Sequence, residues 1–114
     1  MGLQYSRTMS DESQIEIPPS FLELYLAPGR QKPSLPRAEL AERYELSEDM
    51  AQMLTDTARQ MEFSLGITET DVLTRCLQGL QVEPAVVTAA ESIWVVTRLA
   101  ELLNWPAPAI TPVG

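Results

Sequence analysis

The groups able to do chemistry in this chain are few, and their types restrict what that chemistry is. Histidine is absent, and Cys76 is the sole cysteine. A Ser–His or Cys–His nucleophile pair therefore cannot be assembled within one chain. No cluster of Cys, His and carboxylate ligands stands at the spacing that zinc needs. The glycines are Gly2, Gly29, Gly66, Gly79 and Gly114, and none precedes a lysine. The phosphate-cradling loop G-x-x-x-x-G-K-[ST] is thus missing, as is any glycine-rich turn after a strand for a dinucleotide. Carboxylates are plentiful at Glu39, Glu42, Glu45, Glu48, Asp49 and Asp56. Paired carboxylates do acid–base work only where their surroundings separate their pKa values. This set reads as the solvated face of a helix. A carboxylate or tyrosine site would use Tyr25 or Tyr44, and nothing in the spacing favours one. The expectation is a non-enzymatic protein with no catalytic residue, no cofactor and no metal.

Charge narrows the partners. Sixteen acidic residues outweigh eight basic ones, for a net charge of -8, and Lys32 is the only lysine. Such a surface repels phosphate backbones, so nucleic acid is not an expected partner. No apolar run reaches the roughly 18 residues needed to cross a bilayer, and the N-terminus carries no apolar signal-peptide core. A lone cysteine forms no intrachain disulfide and gives no argument for secretion. The expected place is the cytoplasm, with no membrane partner. At 114 residues and 45% hydrophobic, the chain is long and apolar enough for one domain with a core of its own.

The elements follow from periodicity. No segment alternates with period two, and no internal repeat is visible. The expected fold is all-α, a small single-domain bundle of about four to five helices over residues 15–106, with flexible tails at 1–14 and 107–114. Met1 to Ser6 fit the myristoylation pattern M-G-x-x-x-S, but no second anchoring signal accompanies it, so a loose tail is the simpler reading. Met9 is a second candidate start. Pro18 and Pro19 suit the first turn of a short helix, where a missing N–H costs nothing. Phe21 to Leu26 is too short to stand as a helix in water and must dock, most simply on its own domain. Pro28 and Gly29 break it. Arg30, Lys32 and Arg37 form the one basic patch, and Arg30-x-x-Pro33-x-x-Pro36 matches a proline-rich ligand with a leading cation. The simpler reading makes Ser34 or Leu35 a helix cap and Pro36 a first-turn proline.

Pro36 to Leu46 reads as helix. From Ser47 the residues Met50, Met53, Leu54, Thr57, Ala58, Met61 and Leu65 fall on a helical stripe, ending at Gly66 in the left-handed position. The pattern leaves open whether Pro36 to Leu65 is one helix or two. Phe63 falls opposite the stripe, either packed on another element or exposed. Three methionines on the stripe suit an adaptable surface or, more simply, core. Thr68 and Asp71 stand at capping-box spacing, with Ile67 and Val72 as a hydrophobic staple. Val72, Leu73, Cys76, Leu77 and Leu80 form the inward face that follows. Cys76 therefore reads as a small core residue: Arg75, the nearest cation in sequence, does not share its face of the helix. Thr88 and Glu91 are a second capping box, opening a helix from Ala89 to Asn104 that Pro106 stops.

On that last helix Val95, Val96, Leu99, Leu102 and Leu103 share one broad face. Glu91, Arg98 and Glu101 share the other, with Trp94 and Trp105 beside them. Aromatic rings next to an arginine are typical interface anchors. Trp94, Arg98 and Trp105 are therefore the candidate interaction surface, together with Phe21 and Tyr25 from the segment expected to cover it or to swap onto a second copy. The expected partner is another protein or a homodimer.

At IPPSFLELYLAPGRQKPSLPRAELAERYELSEDMA and at AAESIWVVTRLAELLNWP, the chain resembles a family of short bacterial proteins of unknown function. Some of its members carry the genome label "ATPase with chaperone activity". The resemblance spans Ser10 to Pro106 and brings no catalytic residues with it. It implies a chaperone-associated adaptor or regulator of a separate ATPase, because the chain itself has no phosphate loop.

Overall fold

The computed structural model describes residues 16–30 and 32–108. Among the described residues there are four α-helices: α1 (Pro19–Leu22), α2 (Arg37–Leu65), α3 (Glu69–Leu80) and α4 (Ala89–Leu103), with a 3-10 turn at Glu23–Tyr25 after α1. No strand occurs among the described residues, so the all-α expectation holds. The expected tail 1–14, the pattern at Met1–Ser6 and the alternative start at Met9 lie outside the described residues. Most of the expected tail 107–114 does too. By contact density the chain divides into two units, Met1–Glu45 and Leu46–Gly114, with the division inside α2.

In the first unit, Pro18 stands at the N-cap of α1 in extended conformation and Pro19 opens the helix. This is where proline's fixed φ and missing N–H do no harm. The Pro18 carbonyl accepts from the amides of Phe21 and Leu22. Phe21 is fully buried. Its ring lies 5.9 Å from Tyr25 and meets Tyr44, on the first part of α2, edge-on at 5.7 Å. Edge and tilted contacts of this kind suit the charge distribution of aromatic rings. The short segment thus docks as expected. Ala27 to Arg30 then closes a turn, with the Arg30 amide donating to the Ala27 carbonyl at 3.0 Å. Pro28 leads the turn and Gly29 takes φ +78°, the arrangement of a type II turn. The Ser34 amide donates to the Tyr25 carbonyl at 2.8 Å, and bends run through Ser34 and Leu35. The proline-rich segment is therefore folded back rather than held as a continuous extended ligand. Pro36 precedes α2 and accepts from the Leu40 amide; it sits one position outside the first turn in which the sequence placed it.

The open question over Pro36 to Leu65 is resolved as a single helix of 29 residues. Along its inward face Leu40, Ala41, Ser47, Ala51 and Ala58 are all buried, and the four after Leu40 are small. The stripe expected from sequence was placed slightly off this face. Leu54, Ala58 and Met61 do pack inward, but Met53 is 70% and Leu65 52% exposed, and Thr57 is exposed as well. Periodicity misplaces the stripe because the fully buried positions from Ser47 onward are alanine and serine, which weigh little in such a reading. Gly66 takes φ +62° as expected and donates its amide to Glu62.

In the second unit one cluster joins three helices. Ala58 of α2, Val72, Leu73 and Cys76 of α3, and Val96, Leu99, Ala100 and Leu103 of α4 pack together. Leu54, Met61, Ile67, Leu77, Leu80 and Trp105 close its edges. Thr68 caps α3, its hydroxyl accepting from the Asp71 amide at 3.1 Å. Around α4 the full capping box forms: Thr88 Oγ1 accepts from the Glu91 amide at 3.0 Å, and Glu91 Oε1 accepts from the Thr88 amide at 2.9 Å. The preceding corner is tied to the same place, since Gln81 donates to Ser92 Oγ at 3.0 Å and Val87 is buried. At its far end α4 stops at Asn104, in the left-handed conformation at φ 63°. The Trp105 amide reaches back to Ala100 at 2.8 Å and the Asn104 amide to Glu101 at 3.1 Å. This is a Schellman closure with asparagine in the usual glycine position, so the helix ends before Pro106 acts.

Thr88→Ala removes one half of the box and frees the Glu91 amide. It should lower the unfolding free energy by about 1 kcal/mol, read as a shift of the denaturant midpoint at unchanged slope. Glu91→Gln, which keeps the acceptor oxygen, should cost less.

Candidate functional site

The sequence singled out Trp94, Arg98, Trp105, Phe21 and Tyr25. The structure puts these side chains to internal use. Trp94 is 8% exposed and counts with the core. Trp105 is half-buried at the edge of the α3–α4 cluster. Phe21 is wholly buried and Tyr25 half-buried, and their rings touch each other. The expected division of α4 into an apolar and a charged face also gives way. Glu91 and Ser92 are fully buried beside Val95, Val96 and Leu99. On a helix covered nearly all round, tryptophan among charges in the sequence does not mean tryptophan in solvent.

Arg98 explains why charge could survive there. Its Nε donates to Glu48 Oε1 at 2.9 Å and Oε2 at 3.2 Å, and its Nη2 to Oε2 at 3.1 Å. The third nitrogen, Nη1, reaches Glu101 at 3.0 Å. Gln52 Nε2 donates to Glu48 Oε2 at 2.8 Å. The planar guanidinium fork thus clasps a carboxylate fifty residues away and fixes α4 against α2. Burial pushes the Glu48 carboxyl up, but the Arg98 and Gln52 hydrogen bonds and the guanidinium charge outweigh it and hold the group below its ordinary value. Arg98 moves the other way: the bond to Glu48 raises it, burial opposes this, and Glu101 adds to the rise. The pair is a structural clasp and has no free proton to exchange near neutral pH.

The other chemical groups are equally quiet. Cys76 is 5% exposed, and burial pushes its thiol up, away from the reactive thiolate. This fits the small core residue read from sequence. Ser47 Oγ is buried with no hydrogen-bond partner among the described residues, and it serves the inner face of α2 by its size. Among the described residues no group of three or more His, Cys, Asp or Glu is placed to hold a metal ion, and no helix is long and apolar enough to cross a membrane.

What does face solvent is a different set. Phe63 is 90% and Met53 70% exposed, both on the side of α2 away from the core. Val82 (64%) and Val86 (59%) project from the α3–α4 corner. Phe63 was visible in the sequence as the aromatic that falls off the stripe. Met53 was missed because it was counted into the stripe. Compared with known proteins, the chain matches no family model, no curated protein and no solved structure.

Two outcomes follow from these placements. Trp94→Ala should cost about 3 kcal/mol or more of stability, as expected for truncating a core aromatic, and thermal unfolding will show it. Glu48→Gln should cost about 1 kcal/mol at neutral pH, a modest figure because Arg98 is a third exposed. Glu48 has a lowered folded-state pKa, so its contribution is complete above the ordinary value of 4.5 and fades as the pH falls through the lowered one. Denaturation of the two proteins across that window should converge at the acid end.

Proposed function

We propose that this chain is a non-enzymatic helical module that acts by binding another protein or a second copy of itself. The observation that carries this reading is the pair Phe63 and Met53. Each lies on the outer face of a helix whose other side already supplies the core. A phenylalanine nine-tenths exposed contributes nothing to the fold, yet it holds ring area that a partner can cover. Glu48 and Arg98 are committed to joining α2 and α4, and Cys76 is buried with its thiol pushed up, which supports contact rather than catalysis. The reading in which the chain is an adaptor for a separate ATPase uses the same face, where the flexible Met53 side chain suits varied partners.

Phe63→Ser should leave stability within about 0.5 kcal/mol, since the ring is exposed. The same change should remove the bound protein in affinity capture from a bacterial lysate, or lower the mass measured in solution. Identical partners and identical mass for both proteins would defeat the reading. Recovery of an ATPase lost with Phe63→Ser would select the adaptor form.

A further inference from the structure

Resting on that reading, we infer that the outer face of α2 pairs with the same face of a second copy, the two helices running antiparallel. Along this face Asp49, Met53, Asp56, Gln60 and Phe63 recur at alternating spacings of four and three residues. That is the spacing of a helix–helix seam. All five are exposed, and they lie opposite the buried line Ser47, Ala51 and Ala58.

Charge decides the occupant and its direction. The chain carries a net charge of -8, but Gln52 to Met61 holds one acid, Asp56, and one base, Arg59. This stretch of surface is locally neutral, so a second copy is not repelled from it. Among the described residues neither Asp56 nor Arg59 has an ion-pair partner within the chain. A parallel, in-register pairing would set Asp56 against Asp56 and Asp49 against Asp49, which like-charge repulsion disfavours. The antiparallel pairing sets Met53 against Phe63 of the second copy, a sulfur–aromatic contact. Asp56 then faces Gln60 of that copy, where the amide can donate to the carboxylate. Arg59 lies within a side chain's reach of the same Asp56, and Asp49 falls past Leu65, the last residue of the partner helix. A polar layer is thereby flanked on both sides by an apolar one, and the surface is complementary to itself, as a two-fold contact requires.

With one methionine–phenylalanine layer on each side, the contact is small, and association belongs at high protein concentration. The test is sedimentation equilibrium of the full chain over a wide concentration range, with Phe63→Ser, Gln60→Lys and Gln60→Glu. Both sites are exposed, and circular dichroism confirms that each variant keeps its helix content. Wild type should show a concentration-dependent rise in mass toward twice that of the monomer. Phe63→Ser should weaken association at least tenfold. Gln60→Lys should tighten it several-fold, because the new cation faces Asp56 of the other copy, and Gln60→Glu should loosen it several-fold. A parallel pairing puts position 60 against itself, so both changes would loosen it, and that result overturns the inference. A strictly monomeric wild type overturns it as well. In that case the broader reading survives only if Phe63→Ser still loses a different protein in affinity capture, and it fails with the inference if nothing is lost.

Discussion

The packing of α4 against α3 is the interaction on which the rest of the fold depends. Val96, Leu99, Ala100 and Leu103 meet Val72, Leu73 and Cys76, and Ala58 joins from α2. Removing this apolar area from water is the main favourable contribution to the fold. It also sets the fate of nearly every polar group nearby. Once α4 lies in the middle, Glu91 and Ser92 are buried with it and must find partners. Glu91 finds the Thr88 amide, and Ser92 lies between Ala89 and Gln81. Arg98 sits at the margin of the same helix and carries its charge out to Glu48 and Glu101.

A long helix beside such a core has two unlike sides. The inner side of α2 buries Leu40, Ala41, Ser47, Ala51 and Ala58. The outer side keeps carboxylates, amides and two large apolar residues. Nothing in the packing of the unit calls for Phe63 or Met53 on that side. A polar residue at either place would serve the fold equally well. A surface on a helix is held rigid, so a contact made there would cost little order.

Much of the architecture was legible in the sequence because it depends on local signals. Thr88 with Glu91, Thr68 before α3, Gly66 after α2 and the proline pair before α1 each mark an end by a hydrogen bond or a backbone preference. The structure forms all of them. The inward face of α3 was also readable, since valine, leucine and cysteine recur there at helical spacing. Burial on α4 was not readable. Whether Trp94 and Glu91 face water depends on how many neighbours surround the helix, and no spacing within one segment encodes that. The same limit applies to α2, where the fully buried positions from Ser47 onward are small and the conspicuous methionine at 53 is exposed. Asn104 shows a subtler case: its left-handed cap rests on a side chain that tolerates the conformation, and the more conspicuous Pro106 drew attention from it. For these reasons spacing points to the tryptophans, which the structure buries or half-buries, and not to Phe63, which it exposes.

Native-state amide hydrogen exchange tests the central place of α4 most directly. If α4 is the hub, the amides of Val95 to Leu103 exchange only through complete unfolding, with the full unfolding free energy. Those of Gln60 to Leu65, at the exposed end of α2, exchange through cheaper local opening. Amides on α4 that exchange as readily as those at the end of α2 would contradict the account, because the core would then have its centre elsewhere.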